Sequence, residues 1–225
     1  MVPCSAPPDP HCPVKRHVQP EILDELPADD PEAIRSRRDL RRVNRVMGNA
    51  RLLRREIEHL PFHPRSIVEI GAGEGTLLLT ALDNFPDEEE SRRITFLDLQ
   101  DLLTAEVHQA YRSRGWKSEV RTGDVFDTLE QADLVVANLF LHHFKDDGLA
   151  ELGRLLRSCE VICVSEPLRS RLALMEGFAL YPLVNGVTRH DMVASIRAGF
   201  RRGELPRALG VDDGWEVREE CTTLG

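Results

Sequence analysis

The run Val68-Glu69-Ile70-Gly71-Ala72-Gly73-Glu74-Gly75-Thr76 constrains this chain more than any other feature. Arg65-Ser66-Ile67-Val68 reads as a short buried strand, and Leu77-Leu78-Leu79-Thr80-Ala81-Leu82 as the start of a helix. A strand, a glycine turn and a helix N-terminus in succession present bare backbone N–H groups to an anionic ligand. Glu69 at the strand end adds a second demand, because a carboxylate repels a phosphate and suits a ligand that carries an ammonium group. The glycine spacing narrows the choice. A dinucleotide site takes G-x-G-x-x-G, whereas here Thr76 stands in the third glycine's place and Gly75 comes one position early. On this stretch alone, a glycine-rich turn of some other α/β protein stays open, so the order of the downstream strands decides.

Four further strand ends come in order. Arg93-Ile94-Thr95-Phe96-Leu97-Asp98-Leu99 is an apolar strand that ends in an acid, and such a carboxylate binds ribose hydroxyls in Rossmann-like folds. Glu119-Val120-Arg121-Thr122-Gly123-Asp124-Val125-Phe126 reads as a third strand that runs into Gly-Asp-Val. Ala132 to Phe144 gives a fourth strand with the polar end Asn138-Leu139-Phe140-Leu141-His142-His143, and Val161-Ile162-Cys163-Val164-Ser165-Glu166-Pro167 a fifth. One acid at a strand end is unremarkable. Four ordered strand ends after a glycine loop are much harder to obtain by chance. The pattern E-x-G-x-G-x-G with these acids resembles the class I S-adenosylmethionine (SAM)-dependent methyltransferases, over about Arg65 to Pro167. SAM carries an α-ammonium and an α-carboxylate on one carbon, which matches the demands of Glu69 and the glycine turn.

The resemblance implies roles for particular residues. The backbone of Gly71, Ala72 and Gly73 approaches the methionine portion of SAM, and Glu69 helps to hold its ammonium. Asp98 takes the ribose hydroxyls with Leu99 beside the adenine, Asp124 and Val125 contact the adenine, and Asn138 offers its backbone carbonyl to the ammonium. The product is S-adenosylhomocysteine (SAH). On the acceptor side, the Asn/Asp-Pro-Pro-aromatic motif of amine-directed nucleic-acid and protein methyltransferases is missing after strand four. Leu141-His142-His143 is similar instead to small-molecule methyltransferases, often O-directed. A hydroxyl acceptor benefits from a base that titrates near neutrality, which suits histidine. His142 and His143 are the candidates, and because neighbours point in different directions, one of them is expected to be structural. Glu166 either touches substrate or caps a neighbouring backbone N–H. His190 reads as a polar residue at a helix start.

The expected fold is therefore an α/β one: a Rossmann-like, mostly parallel sheet with helices on both faces, plus an N-terminal helical cap. Residues 1–20, with six prolines, read as an extended or disordered lead-in, 21–62 as the cap, and 63–225 as the core, with helices that wall the acceptor pocket at about 168–210. Asp30-Pro31 is a helix start, and Gly48-Asn49 divides the following Arg-rich stretch into two helices. Its nine arginines between Arg35 and Arg55 contrast with a net charge of -9 for the whole chain. They are read as a face that is solvated or docked on the acidic body, as a lid over the cleft, or as a surface that tracks nucleic-acid phosphates. The last reading makes the chain an RNA methyltransferase, which the overall charge opposes. A non-catalytic SAM-fold interaction protein is the third class. Asp87-Glu88-Glu89-Glu90 reads as a solvated loop and Trp215-Glu216-Val217-Arg218-Glu219 as a sixth strand, with Thr222 to Gly225 leading towards a seventh. Five cysteines, an odd count, fit a reducing compartment. Cys4, His11 and Cys12 lack a fourth ligand nearby, so no metal is expected. No apolar run approaches the roughly 18 residues of a membrane span. The expectation is a cytoplasmic enzyme with a small-molecule partner and no membrane contact; oligomeric state is left open.

Overall fold

The computed structural model describes residues 14–83, 85, 92–211 and 214–222. Strands β1 (Ser66–Ile70), β2 (Arg92–Asp98), β3 (Trp116–Thr122), β4 (Leu134–Asn138) and β5 (Val161–Ser165) form one parallel sheet in the order β3-β2-β1-β4-β5. Val68 of β1 lies opposite Thr95 of β2 and Val135 of β4. The chain builds outward from β1 to β3, then crosses back to lay β4 on the other side of β1. That reversal creates the crevice beyond the carboxyl ends of β1 and β4 where ligands bind in open α/β sheets.

The inner strands are largely apolar on both faces because both faces are covered. Ile67, Ile94, Phe96, Leu134 and Val136 pack with Leu78 of α4 (Thr76–Ala81) and Tyr111 of α5 (Ala105–Arg112). The alternate residues Val68, Ile70, Leu97, Val135 and Ala137 pack with Leu149, Leu152 and Leu156 of α7 (Asp146–Leu156), which comes after the short α6 (Val125–Thr128). β3 begins at Trp116, earlier than the sequence pattern suggests. It is an edge strand whose polar outward residues hide its first half from a hydrophobicity reading.

Upstream of the sheet lie α1 (Ile22–Glu25), α2 (Pro31–Met47) and α3 (Asn49–Glu58). Asp30 caps α2, accepting from the N–H groups of Glu32 and Ala33. Gly48, at φ +75°, ends α2 in a left-handed turn that L side chains avoid. The expected division of the Arg-rich stretch is thus present. Leu53 and Ile57 of α3 share one buried cluster with Ile67 of β1 and with Leu134 and Val136 of β4.

The face that α2 buries is small and polar. Ala33, Ser36 and Asp39 are buried, while Leu40, Val43 and Met47 are only half-buried. Ser36 Oγ lies 2.9 Å from Thr188 Oγ1, and Asp39 accepts from the backbone N–H of Asn185 at 2.8 Å. These contacts dock α2 on α9 (Gly186–Ala198), which packs in turn on α8 (Arg171–Leu180). Asn185 caps α9 through the N–H of Thr188, so the helix starts before the expected Thr188.

Residues 14–20 lack regular structure but are anchored. The Arg16 guanidinium donates to the carbonyls of Phe144 (2.7 Å) and Ala198 (2.9 Å), and Arg169 and Arg201 both donate to the Val14 carbonyl. The expected sixth strand does not form. In the segment Trp215–Glu219, Glu219 accepts from the N–H of Gly203 at the start of α10 (Glu204–Ala208), and nearby Glu220 pairs with Arg55, so side chains hold the segment in place of a ladder. The expected Cys4, His11, Cys12 reading, the Asp87–Glu90 loop and residues 223–225 lie outside the described residues. Among the described residues no helix is long and apolar enough to cross a membrane.

Candidate active site

The glycine loop between β1 and α4 is built from three left-handed residues, Gly71 (φ +65°), Gly73 (φ +54°) and Gly75 (φ +64°). At Gly71 the need is also steric, since a Cβ there would lie 2.3 Å from the Phe140 ring. At Gly73 a Cβ would meet nothing within 4 Å, which leaves the backbone open to a ligand. Asp98 at the end of β2 holds the loop: one carboxylate oxygen accepts from Gly73 N–H at 2.8 Å, the other from Gln100 N–H at 3.1 Å. Leu99 beside it is 71% exposed, a free apolar surface at the strand end. Asp124 caps α6, accepting from Phe126 N–H, while the Val125 side chain is buried in the core.

Glu69 is buried, and its Oε2 has no hydrogen-bond partner. Burial, with the nearby Asp98 charge, raises its pKa to about 8. A carboxylate held in this way gains most from a cation that arrives with the ligand.

At the ends of β4 and β5 a second group of side chains assembles. The Asn138 side-chain oxygen accepts from Asn49 Nδ2 at 2.9 Å, tying the strand end to the α2–α3 junction. Leu139 comes next at φ +54°, the one non-glycine in the left-handed region among the described residues. That conformation costs roughly 1–3 kcal/mol, and a bond from its N–H to Ser165 O at 2.8 Å helps to hold it. The turn beyond is gathered by Glu166, whose carboxylate accepts from the N–H groups of Phe140 (2.9 Å) and Leu141 (2.6 Å) and lies 2.7 Å from His142 Nδ1. Of its two expected roles, the geometry favours the cap, because these groups occupy both oxygens.

His142 is buried between two acids, with Glu166 on Nδ1 and Glu21 Oε1 3.2 Å from Nε2. Burial alone would depress its pKa, but Glu166 and then Glu21 more than reverse this, leaving it at about 9. With a carboxylate neighbour on each ring nitrogen, His142 is held in place by Glu166 and Glu21. His143 differs. Its side chain is a quarter exposed, its Nδ1 lies 3.2 Å from Asp24 Oδ2, and its other nitrogen has no hydrogen-bond partner among the described residues. His190 pairs with the neighbouring Asp191 on α9.

Sequence reading misses Glu21, Asp24, Asn49 and Ser195. Each reaches the site from another element, and no local spacing announces such a contact. It also misses that Arg37 and Arg41 of α2 pair with Glu74 in the glycine loop.

A family model for a methyltransferase domain matches residues 68–159. Residues 68–159 carry a methyltransferase domain. The match spans every strand end described above except that of β5, and the cofactor that such a domain implies is SAM. No curated protein matches the sequence. Among solved structures, the plantazolicin methyltransferase BamL, in complex with a triazolic desmethylPZN analog and SAH, superposes with a TM-score of 0.56 at 16% identity, over 84% of this chain and 69% of its own. The mitomycin 7-O-methyltransferase MmcR gives 0.53 at 24% identity, over 84% of this chain and 54% of its own. At these identities the likeness is one of fold. The residues of this methyltransferase fit the cofactor: Glu69 has an orphaned buried oxygen suited to an ammonium, and the glycine loop leaves its backbone open at Gly73.

Proposed function

We propose that this methyltransferase methylates a hydroxyl oxygen of a small molecule, with His143 as the proton acceptor. The observation that carries the reading is the His143–Asp24 pair, with no partner on the other ring nitrogen among the described residues. The O-directed neighbour MmcR is consistent with it. Bound SAM supplies an activated methyl group, and the protein's work is to bind, align and exclude water. Glu69 and the Gly71–Gly73 backbone hold the methionine end, Asp98 and Leu99 the nucleoside, with Asp124 and the Val125 backbone at the adenine and the Asn138 carbonyl at the ammonium. Asp24 orients the His143 ring and stabilises the imidazolium formed when the ring takes the acceptor's proton. His142, locked by Glu166 and Glu21, positions the turn that presents His143. The Arg-rich helix serves as a lid, because its Arg37 and Arg41 are directed at Glu74 of the glycine loop; this favours a lid over an RNA-binding face.

The test is SAH formation across phenolic and other hydroxylated acceptors, followed by His143→Ala. General-base catalysis contributes about 10²- to 10⁴-fold, so kcat should fall by that range while SAH affinity holds. Unchanged kcat with a working acceptor would remove His143 from the mechanism.

A further inference from the structure

We propose that Glu21, His142 and His143 form a binding site for one divalent transition-metal ion of the zinc(II) class. A ligating atom from each of the three lies within 4.8 Å of the other two, and no other such group occurs among the described residues. Glu21 Oε1 and His142 Nε2 are already 3.2 Å apart. A tetrahedral zinc ion with bonds of about 2.0–2.1 Å holds neighbouring donors roughly 3.3 Å apart. His143 is the most exposed of the three at 25%, against 12% for Glu21 and 3% for His142, so it is the ring with most room to turn towards an ion.

The surroundings are those of a built site. Each imidazole has a second carboxylate on Nδ1, Glu166 at 2.7 Å for His142 and Asp24 at 3.2 Å for His143. Such partners fix the tautomer and the orientation of a metal-binding histidine. Glu21 is fixed from two sides: its Oε1 accepts from Ser195 Oγ of α9, and the next two backbone N–H groups, of Ile22 and Leu23, donate to Asp191. Two imidazoles therefore sit among the carboxylates of Glu21, Asp24 and Glu166, with Asp191 close to Glu21. The set calls for positive charge, which either a proton or a metal ion supplies. Two nitrogens and one oxygen suit zinc and the neighbouring first-row ions, and three protein donors leave a fourth position for water or an acceptor oxygen.

An ion at this site takes up the His143 ring. On the reading of His143 as base, ion binding and proton acceptance exclude each other, and only this consequence rests on that reading. The full chain, freed of metal with chelator, is titrated with zinc chloride by calorimetry and then with cobalt(II) by absorption. One equivalent of zinc should bind, and cobalt should show d–d bands without a thiolate charge-transfer band, since the cysteines lie outside the donor set. Glu21→Gln and His143→Ala, each checked for native circular dichroism and SAH binding, should weaken the ion about tenfold or more. Failure of the wild type to bind zinc, a thiolate band, or unchanged affinity in both variants would overturn the site. The same zinc titration in the methyl-transfer assay addresses the base separately. Binding that tracks loss of turnover supports both, whereas binding without inhibition keeps the metal site and rejects His143 as base.

Discussion

The cofactor half and the acceptor half of the crevice are made in different ways. The cofactor half is a property of backbone. Its parts are three left-handed glycines, a strand-end acid that binds two N–H groups, and an exposed leucine, all within Glu69 to Leu99. The acceptor half is a property of side chains that meet from far apart. Glu21 reaches His142, Asp24 reaches His143, and Glu166 gathers the turn between them. One half therefore depends on conformations that only certain residues can adopt, the other on charges that neutralise one another. The two should fail differently when perturbed.

Gly71→Val should have the largest effect and should strike the cofactor half first, with the Phe140 end of the acceptor half disturbed through the clash. The substitution forces an L side chain into φ +65° and drives a Cβ into the Phe140 ring, which stands 2.3 Å from that position. Left-handed backbone costs roughly 1–2 kcal/mol for a residue with a Cβ, and the clash adds to it. SAH affinity by calorimetry should fall by more than about a hundredfold. Retained affinity would mean that the loop is softer than its glycines imply.

A pH series should strike both halves, through His142 in the acceptor half and Glu69 in the cofactor half. His142 has its pKa raised from 6.5 to about 9 in the folded chain. Its contribution to stability is fully present below about 6.5 and is lost as the pH rises through 9, because over that window the folded state binds more protons than the unfolded state. Glu69, raised from 4.5 to about 8, works in the same direction, with stability falling as the pH climbs between those values. Denaturant unfolding should therefore show a loss of a few kcal/mol between pH 6.5 and 9. His142→Gln should flatten that slope but keep the earlier, Glu69-driven fall. A wild-type slope of zero would show that the buried acids flanking His142 do not hold its proton.

Asp98→Ala sharpens the comparison by removing a side chain from the backbone-built half. The variant loses the anchor of Gly73 N–H, as well as the carboxylate that is proposed to meet the ribose. Hydrogen bonds to a charged group contribute roughly 1.5–3 kcal/mol, so SAM affinity should drop by about one to two decades. An unchanged dissociation constant in a folded variant would place Asp98 outside the site.

The same division explains which parts are legible in the sequence. Glycines at positive φ and acids at strand ends leave a local signature, so β1, the loop and Asp98 can be read from a few consecutive residues. The acceptor half leaves His142, His143 and Glu166 visible, but the sequence cannot say which ring is held on both nitrogens. That depends on Glu21 and Glu166, 121 and 24 residues away from His142 in sequence. The α2 docking face escapes a sequence reading for a related reason: it buries Ser36 and Asp39, which hydrophobic periodicity passes over. Trp215–Glu219 alternates as a strand would, yet Glu219 of this segment and Glu220 beside it are used by Gly203 and Arg55.

Asn49 joins the two halves and should give the smallest effect. It is buried at the first position of α3, and its Nδ2 donates to Asn44 Oδ1 and Asn138 Oδ1, both at 2.9 Å. One amide thus ties the end of α2 to the end of β4, directly before the strained Leu139. Asn49→Ala removes both bonds and leaves the Asn138 oxygen to find another donor. At about 1 kcal/mol for a neutral hydrogen bond, global stability should fall by about 1–2 kcal/mol. The more telling readout is the split between steps. If Asn49 carries the alignment of cap and strand, kcat for a working acceptor should fall several-fold while the dissociation constant of SAH moves less than twofold. An equal loss in both would show that Asn49 supports the sheet end as a whole, and that the two halves of the crevice are coupled through it more tightly than their separate construction suggests.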